Sequence, residues 1–297
     1  MLSHAINRFI DSQRWLEPLA DVLQKVPAAV YRGRLGRAVK SLLNGTWLGH
    51  PLHPVLTDIP LGAWTLAVIV DLIYFFSQHS AMARTGAEIL VGVGIVAALG
   101  AAITGYTDWG DTIDRERRVG LTHGLLNVIA TVLYVISLVI RLTSSGQRLA
   151  ILVSWIGYAL LITAAYLGGE LVFNIGTGVN HHAWQPPPTE WTPALRLTDL
   201  ADGKPQRADC NGTPIFLLKR GDVISAISDT CSHAGGPLHE GTLDGNVIVC
   251  PWHASRFDLG TGAVRGGPAT VSQVRYDVRI QEGRVEVRRS PATLQPN

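Results

Sequence analysis

Apolar residues are spread unevenly along the chain. They concentrate between residues 57 and 176 in four nearly unbroken runs, at about 57–77, 85–107, 121–143 and 149–174. Each is long enough to cross a hydrocarbon core of about 30 Å as a helix. No polar stripe interrupts them, which argues against buried helices of a large soluble core, and the pattern predicts four transmembrane helices. The second run is rich in small residues: Gly92, Gly94, Ala97, Ala98, Gly100, Ala101, Ala102 and Gly105. Faces of that kind let helix backbones approach closely in lipid. Asp71 and Arg141 fall toward one end of the first and third runs. Ionisable groups at depth are costly and tend to pair, so a structural ion pair is expected ahead of a proton path.

The flanking patterns differ in kind. In residues 1–45, Ile6, Phe9, Ile10, Leu16, Leu19 and Leu23 recur at helical spacing among Arg8, Arg14, Lys25, Arg32, Arg34, Arg37 and Lys40. An amphipathic basic segment of this sort lies on an anionic membrane surface or docks on the protein itself. Residues 177–191 contain Pro186-Pro187-Pro188, which favours an extended, semi-rigid tether that lets a following domain swing. From Leu195 onward, alternation as in Ile215-Phe216-Leu217-Leu218 and Val274–Ile280, punctuated by Gly, predicts antiparallel sheet. The expected organisation is a basic segment (1–45), a membrane domain (46–176), a linker (177–191), an all-β domain (192–290) and a tail (291–297).

Composition sharpens this picture in three ways. Of 297 residues, 47% are hydrophobic, and the mean hydropathy is +0.21, high for a soluble protein. The formal net charge of +2 gives no basis for nucleic-acid binding. Three cysteines make no disulfide framework, which suits a reducing compartment. Four spans would place both flanking segments on one side. That side carries the seven basic residues before the first span, with Arg115, Arg117 and Arg118 in the 108–120 loop; the other has Arg84, Arg141 and Arg148. By the positive-inside rule, both termini are expected in the cytoplasm, with the protein in the inner (cytoplasmic) membrane. Residues 1–45 carry no secretory signal, which agrees.

Two short boxes carry the chemistry. Cys231-Ser232-His233 and Cys250-Pro251-Trp252-His253 are separated by 16 residues, and both continue into turn-forming sequence. Each supplies one thiolate and one imidazole. Thiolates suit an iron that stays ferric and imidazoles one that cycles to ferrous, so a mixed set raises the reduction potential. A Cys₂His₂ zinc site and chance are the alternatives. Zinc fingers, however, usually pair Cys with Cys and His with His along the chain. Cys210 is left over as a buried or surface thiol.

From about Trp191 to Arg289 the chain resembles a Rieske [2Fe–2S] domain. The resemblance rests on Cys-x-His and Cys-x-x-His, on Gly235-Gly236-Pro237-Leu238, and on Gly266-Gly267-Pro268-Ala269-Thr270, similar to a loop shielding the cluster. It implies that Cys231 and Cys250 hold one iron and His233 and His253 the other, with Ser255 and Pro268 beside the cluster. Rieske proteins of respiratory complexes add a disulfide, whose positions here are Gly236 and Trp252, and a Tyr where this chain has Phe257. Losing a donor to sulfur lowers the potential, so the resemblance is to Rieske ferredoxins.

Residues 45–180 resemble a family of uncharacterised prokaryotic four-helix membrane proteins. The matching pieces are His50-Pro51-Leu52-His53-Pro54, Gly105-x-x-Asp108-Trp109, His123 and Gly168-Gly169-Glu170-Leu171-Val172. With Asp58, these residues form a polar belt at one level: His50, His53, Asp58, Asp108, His123 and Glu170. The belt caps helix ends, or holds a b-type haem or metal, or binds a quinone or docks a partner. The function expected is a membrane-integral electron carrier with a cytoplasmic [2Fe–2S] domain and a redox partner protein, rather than a stand-alone enzyme. The alternative is a redox enzyme subunit whose membrane domain binds haem or quinone. A Rieske oxygenase is not expected, because the stretch after Arg289 is too short for a mononuclear iron domain.

Overall fold

The computed structural model describes residues 2–77, 80–143 and 146–291. Most of the expected tail (292–297) and part of the loop expected on the far side of the membrane (144–145) lie outside the described residues. The chain divides into two compact units, one of Met1–Arg32 with Leu52–Thr177, the other of Gly33–Pro51 with Gly178–Asn297.

The first unit is helical. Helices α1 (Leu2–Ser12) and α2 (Leu16–Val30) precede four long apolar helices: α4 (Leu52–Phe76), α5 (Ala81–Trp109), α6 (Asp114–Thr143) and α7 (Gln147–Gly169); α3 (Gly33–Asn44) belongs to the second unit. A π-helical turn, Glu170–Ile175, extends α7. All four long helices are long and apolar enough to cross a membrane. They start earlier than the apolar runs because polar flanks such as Asp114–Arg118 are good helix formers that hydropathy alone does not register. The burial pattern inverts that of a soluble bundle: α4 turns Leu66, Ile69 and Ile73 outward and buries Ala63, Ala67 and Asp71. Small residues inside let the backbones close up. A Cβ on Gly94 would lie 2.1 Å from the Trp64 indole nitrogen, so only glycine admits that ring.

Helices α1 and α2 pack on the bundle. Ile10, Leu16 and Ala20 share a core with Trp109, Val119, Leu121 and Leu167. Arg117 is paired with Glu17 and Asp21, and Arg118 with Asp11 and Glu17. Of the two expectations for this segment, docking on the protein describes α1 and α2.

The second unit is β-rich. Its strands are β1 (Thr192–Arg196), β2 (Gln206–Cys210), β3 (Thr213–Arg220), β4 (Val223–Ser228), β5 (Thr242–Asp244), β6 (Val247–Val249), β7 (Arg256–Asp258), β8 (Val264–Gly266), β9 (Tyr276–Gln281) and β10 (Arg284–Arg289). They form antiparallel sheets β1-β10-β9, β2-β3-β4 and β5-β6-β7-β8. The expected free tether at 177–191 is corrected here. The His181 amide donates to the Ser232 carbonyl (3.3 Å), the Thr213 hydroxyl to that of Pro186 (2.9 Å) and the Arg289 amide to that of Pro188 (2.7 Å). The prolines cannot pair as a strand, but their carbonyls remain good acceptors, and the domain uses them.

Deep in the bundle the expected ion pair is present. Arg141 donates from both terminal nitrogens to Asp71, at 2.8 and 2.6 Å, and from its Nε to Ser137 at 3.2 Å. Both charged side chains are essentially without solvent exposure. Removing one partner strands the other charge, so Arg141→Leu should destabilise the bundle by about 3–5 kcal/mol. Asp71→Leu/Arg141→Leu should recover most of that loss; thermal unfolding in detergent, followed by tryptophan fluorescence, checks both.

Candidate metal centre

Two loops with the same backbone plan bring the four candidate ligands together. In the first, the Cys231 amide donates to the Gly236 carbonyl (2.8 Å) and the Gly235 amide returns to the Cys231 carbonyl (2.9 Å). In the second, the Cys250 amide donates to Ser255 (2.8 Å) and Ala254 returns to Cys250 (3.1 Å). The residue four after each cysteine is left-handed, Gly235 at φ 80° and Ala254 at φ 59°. Each cysteine thus opens a tight loop whose histidine follows two or three residues later. Asp229 braces the first loop: its carboxylate accepts from the His239 amide (2.8 Å) and sits 2.7 Å from that ring.

The thiols and imidazoles segregate. Cys231 and Cys250 are buried in the apolar core with Phe216, Ile248 and Phe257. Their thiols interact with one another. That interaction, together with the Trp252 and His253 amides, pulls Cys250 down to about 6 against the opposing effect of burial. The same interaction, with burial, pushes Cys231 up. The rings of His233 and His253 lie 5.1 Å apart at 85°. Burial pushes His233 down to about 3, with His253, Lys40 and His181 adding. Its Nδ1 is buried without a hydrogen-bond partner. Two buried thiols, one of them poised to lose its proton, beside the imidazoles of His233 and His253, are a donor set for a metal centre with sulfur on one side and nitrogen on the other.

The surroundings fit that use. Gly236 provides a cradle: a Cβ there would lie 2.9 Å from the Cys250 sulfur and 3.0 Å from the Trp252 ring. The two positions that matched a disulfide in the resemblance therefore face one another, as a glycine under a half-exposed Trp252. Ser255 is fully buried, and its hydroxyl oxygen accepts from the Ala269 amide at 3.2 Å, leaving its proton free to be donated. Pro268 is buried in the neighbouring loop. Phe257 is fully buried in the core. Cys210, away from the loops, is a buried thiol raised to about 11, by burial first and then by Asp209.

Two contributors lie outside the boxes legible in the sequence. The C-terminal end of α3 lies against the 266–269 loop. The Thr46 hydroxyl is 3.5 Å from the Ala269 carbonyl, and Ser41 would touch a Cβ on Gly266 at 3.4 Å. Lys40 acts electrostatically on His233. His181 and His182 also belong here, with His181 beside Gly235 and the His182 Nε2 2.5 Å from the Thr230 carbonyl. Nothing in the basic pattern of α3 distinguishes a surface that meets lipid from one that meets a β-domain.

The polar belt separates in the structure. His53 and His123 face each other, with ring centroids 6.2 Å apart at 90°. Glu170 is buried and paired with Arg115 at 3.1 Å and Asn174 at 2.5 Å. Asp58 is exposed, Asp108 is half-buried near the end of α5, and His50 belongs to the second unit, its Nδ1 3.2 Å from the Pro51 carbonyl. Helical periodicity turns Asp58, five residues after His53, to another face of α4.

Known proteins match both units. Residues 49–181 match the family described as "Predicted membrane protein (DUF2231)", and residues 190–282 the Rieske [2Fe-2S] domain. Ferredoxin CarAc of Metapseudomonas resinovorans is 37% identical over 98 residues, 33% of this chain and 92% of its own length. The anthranilate 1,2-dioxygenase ferredoxin subunit of Burkholderia cepacia is 33% identical over 98 residues, 33% of this chain and 91% of its own. The solved ferredoxin of carbazole 1,9a-dioxygenase from Nocardioides aromaticivorans IC177 is 31% identical. That match covers 34% of this chain and 100% of the ferredoxin, with a TM-score of 0.32. With two loops presenting paired thiols and paired imidazoles on a ferredoxin-like sequence, the chain belongs to the Rieske [2Fe–2S] electron-transfer family, carried here with a DUF2231 membrane domain.

Proposed function

We propose that this protein is a membrane-anchored one-electron carrier whose [2Fe–2S] cluster is held by Cys231 and Cys250 on one iron and His233 and His253 on the other. The observation that carries this is the convergence of the four side chains in two matched loops, thiols together in the buried core and imidazoles 5.1 Å apart. When bound, such a cluster cycles by one electron, with the nitrogen-ligated iron changing valence. The chain's own contribution is to bury the sulfurs and hold both rings. It tunes the centre through Ser255, whose proton can reach sulfur, and through Phe257, which offers none. Pro268 closes the loop on that side. No protein nucleophile is required.

The partners follow from chemistry and likeness. A centre without disulfide or tyrosine hydroxyl sits toward the reducing end of the Rieske range, about −150 mV, a poor oxidant of quinols and a fair reductant of oxygen-using proteins. The ferredoxin subunit of anthranilate 1,2-dioxygenase named above belongs to a dioxygenase, which supports a redox partner protein here. Charge distribution supports the inner membrane with both termini cytoplasmic. A second reading, a redox enzyme subunit whose membrane domain also carries a redox group, is favoured by the facing pair His53 and His123.

Purified anaerobically, the full chain should contain two irons and two acid-labile sulfides and give the low average g value of a mixed-ligand centre. His253→Ala should abolish that signal, and Gly236→Ala should lower cluster content by crowding Cys250; zinc as the only metal would refute the assignment. Voltammetry should place the midpoint near −150 mV, and Phe257→Tyr should shift it upward; a clearly positive wild-type midpoint would contradict the tuning argument. Reporter fusions after Asn297 should read cytoplasmic and those within 144–148 external, whereas an external C-terminus would overturn the orientation.

A further inference from the structure

The membrane unit is built from two copies of one helical hairpin. On α4, His53, Trp64 and Asp71 are spaced by 11 and 7 residues; on α6, His123, Tyr134 and Arg141 repeat those intervals. On α5, Gly94 and Ala101-Ala102-x-x-Gly105 correspond to Gly157 and Ala164-Ala165-x-x-Gly168 on α7. Equivalent residues meet one another. Trp64 stacks on Tyr134 at 3.9 Å and 9°, with Gly94 and Gly157 against the two rings. Asp71 binds Arg141, and His53 faces His123. Because α4 and α6 each pack on both α5 and α7, they are diagonal, and the three pairs are layers along a pseudo-two-fold axis. Two layers are structural: a ring stack and a closed ion pair. The third has unspent chemistry.

Each imidazole of that layer is held in the same way. The Nδ1 of His53 lies 2.8 Å from the Ala101 carbonyl, and the Nδ1 of His123 lies 2.8 Å from that of Ala164. A carbonyl only accepts, so in both neutral rings the proton sits on Nδ1 and the lone pair on Nε2. Consistently, the Asn127 amide nitrogen, a donor, is 3.1 Å from the His123 Nε2. A backbone carbonyl on the far nitrogen is how proteins fix the tautomer of a metal-ligating histidine. It also selects the ligand. A quinone oxygen needs N–H donors, and both are taken.

Separation narrows the choice further. With metal–nitrogen bonds of about 2.0–2.1 Å, two ligand rings on one metal have centroids about 5.1 Å apart when tetrahedral and about 6.3 Å when opposite. The pair His233 and His253 lies at 5.1 Å, whereas His53 and His123 lie at 6.2 Å, close to the opposed arrangement. The two rings by themselves would give a bare ion two ligands. A porphyrin-bound iron needs no more, since its macrocycle supplies the rest.

We propose that His53 and His123 are the two axial ligands of a haem held between the diagonal helices α4 and α6. On binding, the Asn127 amide gives up its contact with the His123 Nε2. Gly105 and Gly168 are part of the site, because a Cβ on either would meet the His53 ring at 2.6 Å or the His123 ring at 3.3 Å. The proposal stands on the membrane unit alone and goes beyond the role proposed for the iron–sulfur domain.

The test uses the full chain, purified in mild detergent from cells supplied with a haem precursor, and separately titrated with haemin. The expected result is one haem per chain by pyridine haemochrome, with the sharp reduced α-band of a six-coordinate low-spin iron. His53→Ala and His123→Ala should each remove that band while the cluster's spin-resonance signal persists, which shows the chain is folded. His53→Gly should regain the band on addition of imidazole. Three results would overturn the proposal: no spectral change on haemin titration, a low-spin band that survives in both variants, or a stoichiometric non-haem metal lost with His53. Because the cluster is read separately, loss of its signal would bear on the electron-carrier reading and not on this one.

Discussion

Four side chains of opposite character have to converge where neither kind would settle unaided. Two thiols must lie in an apolar core and still surrender protons. Two imidazoles beside them, in the assignment proposed for the centre, must present nitrogen to the same site. The second unit is arranged around that requirement. Matched loops place Cys231 and Cys250 with backbone amides directed at the Cys250 sulfur, so charge on it is stabilised where water is absent. Burial together with Lys40 keeps His233 neutral. Glycine at 236 is needed because a side chain would occupy the space of the sulfur and the Trp252 ring. The three short sheets supply rigid ends for these loops, as a centre tuned by hydrogen bonds requires.

The membrane unit answers a different constraint. Every polar side chain in its interior needs a partner, since lipid offers none. A repeated hairpin meets this economically, because each residue on the axis meets its own counterpart. The layers differ in chemistry. Asp71 and Arg141 are complementary charges, and Trp64 and Tyr134 form a stack. The third layer has histidine in both copies. Two imidazoles facing each other lack the complementarity of the other two layers, and that sets the third layer apart.

Legibility in the sequence followed the range of the interaction. Four apolar runs and the Cys-x-His and Cys-x-x-His boxes are local patterns, and both units could be read from them. The pairing of Asp71 with Arg141 was readable because charge at depth leaves few options. What could not be read depended on partners distant in the chain. The α3 helix is separated by more than a domain's length of membrane sequence from the 266–269 loop it meets, and its basic face resembles a lipid-binding one. Residues 177–191 looked like a free tether because prolines signal extension without saying whether their carbonyls are used. The belt grouped residues by depth alone, whereas the angular position on each helix separates His53 from Asp58. The carbonyl partners of His53 and His123 leave no trace in composition.

The central claim is that one iron of the centre is held by nitrogen and the other by sulfur, within a chain that also spans the membrane. Electron–nuclear double resonance on the reduced full-length protein, labelled with ¹⁵N-histidine, tests it most directly. The account predicts two strongly coupled histidine nitrogens in the wild type, and loss of the cluster signal in His233→Ala and in His253→Ala. An iron–sulfur signal without histidine coupling, or unaltered coupling in both variants, would contradict it.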